Sequence, residues 1–299
     1  MMTYRIFTGI VAISLLLTGS LAMAEEKLSI YTVNYPLQYF AQRIAGEQAD
    51  VSLPVPAGLD PVFWQPDADT VIAYQQADLI LLNGAGYAKW VSRVSLPRRK
   101  LVDTSAGFRD RYIRAEAGIT HSHGREGDHS HSGVAFTTWL DFTLAVEQAR
   151  AIATAFSKLR PVFKADFERN LASLEKDLLT IDEQIRERVA IHPDRALLAS
   201  HPVYQYFKRR YGLNLTSVMW EPEFFPDNAQ WSHLKQLTRV HPARWMIWED
   251  NPDKQSVEAL QAMDIASTVF NPCANRPLEG DFLGVMQQNV ENLARAFKQ

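Results

Sequence analysis

The chain has 299 residues, 46% hydrophobic and 22% charged, the balance of a folded globular protein and not of a disordered one. Its 31 Lys+Arg against 34 Asp+Glu leave a net charge of −3, so there is no basic field to attract nucleic acid, and no DNA- or RNA-binding module is found. A single cysteine, Cys273, excludes an intrachain disulfide, a CxxC redox pair and a Cys-rich zinc knuckle.

In chain order, the first element is a targeting segment. Arg5 is the only charge before Glu25, residues 6–21 are mostly apolar, and Ala22-Met23-Ala24 has the small-x-small pattern of a cleavage site. This predicts a secretory signal peptide over 1–24, cut near Ala24. No cysteine stands at the cut itself, so lipid attachment is not expected, and no later stretch is long enough to span a membrane. The expected product is a soluble periplasmic protein.

Residues 28–33 read as a strand, 36–45 as a helix, and 51–55 as a second strand. Residues 77–82 form a continuous apolar run closed by Asn83-Gly84, the mark of a buried parallel strand, and 100–103 supply a fourth. Phe163, Phe167, Leu171, Leu174, Leu178, Ile181 and Ile185 then fall at steps of three and four, one stripe of a long helix with Pro161 in its first turn. Strand-like runs return at 196–200, 213–219, 245–248 and 266–270, and Phe282, Met286, Val290, Leu293 and Phe297 mark a last helix. The expected fold is α/β, with two lobes, each a parallel sheet flanked by helices, joined by one long rigid helix. The expected divisions are an N-terminal lobe over 25–158 with a His-rich loop at 120–132, a linker helix over 159–190, and a C-terminal lobe over 191–299.

Several segments, in order along the chain, resemble the periplasmic metal-binding proteins of zinc and manganese ABC importers. They are Asn34-Tyr35-Pro36-Leu37, Gly58-Leu59-Asp60-Pro61, the run 77–86, the His-rich loop, Trp139-Leu140-Asp141, and Ser200-His201-Pro202 leading into Tyr204-Gln205-Tyr206-Phe207. The resemblance implies a metal site in the cleft between two lobes, and a membrane permease and an ATPase as partners. It also implies four ligand positions. They are a His directly after Asp-Pro, here Val62; a His two residues before the Trp of Trp-Leu-Asp, here Thr137; the His of His-Pro, present as His201; and an Asp before a late Pro, here Asn271. Zinc takes three or four His, Cys or carboxylate donors, so the usual set is incomplete.

Ligands in open α/β sheets bind beyond the carboxyl ends of the strands. His201 stands there, with Glu221, Glu249, Asp60 and Asp141 as candidate helpers. Cys273 reads as a buried thiol, and Trp64, Trp139, Trp220 and Trp248, near strand ends, read as packing residues. A second candidate metal site is the loop carrying His121, His123, His129 and His131 in two His-x-His pairs with Gly124 and Gly127 between them. Imidazole donors suit Zn²⁺, with Ni²⁺ and Cu²⁺ as competitors, and the resemblance adds Mn²⁺. No nucleophile elbow, zincin helix or P-loop is present, so no enzymatic activity is expected. The expected function is a monomeric receptor that hands a divalent ion, zinc first, to an importer. The alternative is the same fold binding a metal chelate or serving as a metal chaperone.

Overall fold

The computed structural model describes residues 26–298 except 116–119, 123–127 and 131–132, with backbone only at 115, 120–122 and 128–130. The expected signal segment 1–24, His123 and His131, and the side chains of His121 and His129, therefore lie outside the described residues.

The first half contains β1 (Leu28–Thr32), α1 (Tyr35–Ala45), β2 (Ala49–Ser52), α2 (Ala68–Gln76), β3 (Leu79–Leu82) and β4 (Leu101–Asp103). Its four strands are parallel in the order β2-β1-β3-β4. Asn34 starts α1 by accepting the Leu37 N–H, and Pro36 occupies the first turn, where its missing N–H costs nothing. After β3 the chain turns through Gly84, whose φ of 74° suits glycine, and a Cβ there would run into Ser105 and Asp103. Two short antiparallel pairs follow, β5 (Arg114–Ala115) with β8 (Gly133–Val134), and between them β6 (Thr120–Ser122) with β7 (Asp128–Ser130).

Two long helices follow, α3 (Phe142–Leu159) and α4 (Lys164–Val189). The 26 residues of α4 span about 39 Å. Phe167, Leu174, Leu178, Ile181 and Ile185 of the expected stripe are buried. The helix α3 was not anticipated as an element. It packs against both α1 and α4, so its buried residues (Leu144, Ala145, Val146, Ala149, Ile152, Ala153) form a broad face rich in alanine and not a narrow stripe.

The second half repeats the first: β9 (Ala196–Ala199), α5 (Gln205–Tyr211), β10 (Asn214–Ser217), α6 (Asn228–Val240), β11 (Trp245–Trp248), α7 (Lys254–Gln261), β12 (Ala266–Val269) and α8 (Phe282–Lys298). The strands are again parallel, in the order β10-β9-β11-β12. In both sheets the order reverses between the first and third strands, which is where open α/β sheets place a ligand. Two parallel sheets flanked by helices, with one long helix between them in sequence, are the expected fold class. Among the described residues no helix is long and apolar enough to cross a membrane.

The helix α4 packs against α1 and α3 of the first half and α8 of the second. Hydrogen bonds also cross between the halves directly. Trp139 Nε1 donates to Pro272 O at 2.8 Å, the Tyr35 N–H to Ala274 O at 2.8 Å, and Tyr206 OH to Ala135 O at 3.0 Å. Asn275 Nδ2 donates to Pro56 O and Leu59 O, both at 2.7 Å, and Thr137 Oγ1 donates to Val203 O. Separating the halves would break all of these and uncover a shared core. We therefore expect X-ray scattering curves with and without zinc to superimpose. A change of several ångströms in radius of gyration would show a hinge that these contacts do not permit.

Candidate metal centre

The reversal point of the second sheet lies between β9 and β11. The chain leaves β9 through Ser200 into His201, and leaves β11 into Glu249. The exits stay zipped beyond the strands: the Ser200 N–H donates to Ile247 O, the Val218 N–H to Ala199 O and the Trp220 N–H to Ser200 O, all at 2.8 Å. This pairing draws Glu221, four residues past β10, alongside His201. Trp220 and Trp248, each next to a glutamate in sequence, are buried in one cluster with Trp231, at ring-centroid distances of 4.6 Å (Trp220–Trp231) and 6.1 Å (Trp220–Trp248). They anchor the backbone that presents the carboxylates.

His201 Nδ1 lies 3.5 Å from Glu221 Oε1 and 3.9 Å from Glu249 Oε1. One potential ligand atom from each of the three residues lies within 4.8 Å of the others. The imidazole is buried, at 4% exposure, while the two glutamates are partly open to a cleft of about 600 Å³. Asp60, from the first half, lines the same cleft. Its Oδ1 accepts the Val62 N–H at 3.0 Å.

The electrostatics of this corner are those of crowded like charges. Burial, then Glu223 and Asp60, push the Glu221 carboxyl up to about 7. Burial, then Asp60, Glu221, Glu223 and Asp250, push Glu249 well above the carboxylate range. Both effects penalise the charged forms. A divalent cation between them would reverse both, supplying the opposite charge that desolvated carboxylates lack. One imidazole and two carboxylates make a donor set of the kind zinc accepts.

The other expected site residues divide. Asp141 is a correction, because it does not line the cleft. It caps α3, accepting from the Thr143 N–H (3.1 Å) and hydroxyl (2.5 Å), and faces Arg209 and Arg210 at 3.9 Å each. A carboxylate just before a helix is the usual cap, and here that role consumes it. Val62, Thr137 and Asn271 do line the cleft, but as wall and not as donors. Val62 is packed at 8% exposure and Thr137 is bonded to Val203 O. Asn271 Oδ1 accepts the Cys273 N–H at 2.7 Å, while its backbone pairs with Asn289. Cys273 is buried at the cleft with φ 57°, and burial followed by Asp281 pushes its thiol up to about 12, which keeps it protonated and a poor ligand near neutrality. The sequence reading missed Tyr87 and Phe136, which form an aromatic wall with Trp139 at centroid distances of 5.4 Å (Tyr87–Phe136) and 5.7 Å (Tyr87–Trp139). The signal available for Tyr87 was its place directly after the Gly84-Ala85-Gly86 turn at a strand exit.

The raised Glu221 carboxyl has a consequence for stability. A carboxyl that binds its proton more tightly in the folded chain favours folding at low pH. That contribution is lost as pH rises from about 4.5 through about 7. Glu221→Gln cannot ionise. The metal-free variant should therefore melt at a higher temperature than wild type at about pH 8 and at the same temperature near pH 4.5. Equal melting temperatures at both pH values would mean that Glu221 is not held against its own charge.

Comparison with known proteins matches the same architecture. The zinc-binding lipoprotein AdcA of Streptococcus pneumoniae is 23% identical over 312 aligned positions, covering 98% of this chain and 60% of that protein. The chain thus spans about three fifths of the length of the first curated relatives it matches. The high-affinity zinc uptake system protein ZnuA of Bacillus subtilis is 24% identical, over 92% of this chain and 89% of that protein. Among solved structures, the metal-dependent lipoprotein YcdH of Bacillus subtilis superimposes with a TM-score of 0.77 at 20% identity, covering 91% of this chain and 99% of that one. At that identity the likeness establishes the fold. The profile of the family described as zinc-uptake complex component A, periplasmic, matches residues 30–296, and the chain belongs to that family.

Proposed function

We propose that this protein captures a divalent metal ion in the cleft, zinc before Mn²⁺, Ni²⁺ or Cu²⁺, and passes it to the permease and ATPase of an ABC importer. The observation that carries this reading is the convergence of His201, Glu221 and Glu249 beyond the carboxyl ends of three neighbouring strands. The family match and the zinc-binding relatives support the choice of metal. In this reading the protein is a receptor and not a catalyst. Neutral His201 donates a nitrogen lone pair, and Glu221 and Glu249 donate carboxylate oxygens. The ion displaces the protons that burial keeps on the glutamates, so capture releases acid and weakens as pH falls through about 7.

The reading extends to the rest of the chain. Residues 1–24 are removed on export, and the mature protein, a monomer, begins at Glu25 in the periplasm. Residues 25–158 and 191–299 act as the two lobes, and 159–190 as the rod between them. The loop with His121, His123, His129 and His131 gathers zinc at a second, weaker site through its two His-x-His pairs.

Titration calorimetry on two variants tests the assignment. His201→Ala should abolish the tightest zinc constant and leave weaker binding, and deletion of 121–131 should do the reverse. If His201→Ala leaves the tightest constant unchanged, the cleft is not the capture site. Amino-terminal sequencing of the periplasmic fraction should return Glu25, and a product still starting at Met1 would contradict the export reading.

A further inference from the structure

The three clustered donors come from the second half of the chain, at the exits of β9, β10 and β11. The first half contributes one carboxylate to the same cleft, that of Asp60, which is solvent-exposed. Its loop is fixed from both halves. Asp60 Oδ1 accepts the Val62 N–H at 3.0 Å, and Asp60 O accepts the Phe63 N–H at 3.1 Å. From the second half, Asn275 Nδ2 donates to Pro56 O and Leu59 O, both at 2.7 Å, and the Arg276 guanidinium donates to Val55 O at 2.8 Å. The loop of Asp60 is thus clasped to the half that carries the other donors. Asp60 lies outside the three-residue cluster, yet its charge is felt there. After burial it is the largest influence raising the Glu249 carboxyl, and it raises that of Glu221 as well.

Tyr87 points to the same place independently. It lines the cleft with its ring against Phe136 and Trp139. It is 1% exposed, and its hydroxyl has no hydrogen-bond partner among the described residues. Native structures partner nearly all such groups, and an exception marks a place where an ion, a water or a side chain drawn to one completes the bond. The carboxylate whose charge this phenol feels is Asp60. Burial and that charge keep the phenol protonated, so Tyr87 can donate a hydrogen bond but is no phenolate ligand. An ionised Asp60 only accepts, so the two groups are complementary. An ion held by His201, Glu221 and Glu249 keeps a fourth position open, and a carboxylate that binds a metal is itself usually hydrogen-bonded.

We propose that Asp60 is the fourth ligand of the cleft metal and that the Tyr87 hydroxyl holds Asp60 in place as its hydrogen-bond donor. This rests on the capture of metal in the cleft proposed above, and names the donor that the first half supplies. The ion joins the two halves, held by one imidazole and three carboxylates. Asp60 takes the part of the ligand lost at Val62, two residues further along the same loop. Tyr87 touches no metal; it is a positioning residue that acts only through Asp60.

Zinc titrations of the full mature chain, read by competition with a chromophoric chelator, test this. Tyr87→Phe should weaken the tightest zinc constant by about tenfold, the lower end of the loss when an outer partner of a ligand is removed. Asp60→Asn should weaken it more, although asparagine keeps an oxygen for the Val62 N–H and so preserves the loop. The double variant should be no weaker than Asp60→Asn, because Tyr87 then has nothing left to position. Without metal, Tyr87→Phe should melt no lower than wild type, since it deletes a buried hydroxyl that has no partner. Glu223→Gln removes another cleft carboxylate that raises both glutamates, and should cost far less than Asp60→Asn. Equal losses from these two would make Asp60 a nearby charge and not a ligand. Losses that add in the double variant would show that Tyr87 does not act through Asp60. If Asp60→Asn binds zinc as wild type does while His201→Ala does not, the fourth-ligand proposal is overturned and zinc capture stands. If His201→Ala also leaves the tightest constant unchanged, the capture reading fails with it.

Discussion

Glu221 and Glu249 are brought beside a buried imidazole by backbone pairing, against their own electrostatic preference. Each is desolvated, and each feels mainly other carboxylates. An arrangement of that kind has to be held by something rigid. Here the holders are the continued pairing of the β9, β10 and β11 exits and the Trp220–Trp231–Trp248 cluster beneath them. The electrostatic cost is local and the scaffold is deep. Burial holds protons on these carboxyls, and a divalent cation, as proposed, would replace them with the opposite charge that desolvated carboxylates lack.

The rest of the cleft follows from where donors are absent. At the positions where the family resemblance implies ligands, Thr137 and Asn271 have become part of the fabric. Thr137 joins the first half to the backbone just after His201, and Asn271 organises the turn that carries Cys273. That turn is itself bound to the first half through Trp139, Tyr35 and Asn275. Thr137 and the turn organised by Asn271 stitch the two halves of the chain together.

Much of this could be read in the chain before the fold was known. Buried parallel strands announce themselves as apolar runs, and 77–82, 196–200 and 245–248 did so. The α4 stripe was legible because one face of that helix is buried and the other is wet. The helix α3 was not, because burial between two neighbours erases the contrast that periodicity detects. His201, Glu221 and Glu249 could be nominated because strand exits are where such folds place chemistry. Their convergence could not, since it depends on three loops that are distant in sequence. Asp141 shows the cost of the same rule: it also stands at an element boundary, but its carboxylate is spent on the α3 N-terminus. The aromatic wall of Tyr87 and Phe136 was invisible because isolated aromatics carry no spacing pattern.

We propose that this protein holds its metal with one imidazole and two carboxylates, those of His201, Glu221 and Glu249. X-ray absorption at the zinc edge, on protein with 121–131 deleted and loaded with zinc alone, reads that donor set directly. The account predicts a first shell of oxygen and nitrogen at about 2.0–2.2 Å with multiple-scattering intensity for one imidazole. A shell with three imidazoles, or with sulfur at about 2.3 Å, would contradict it.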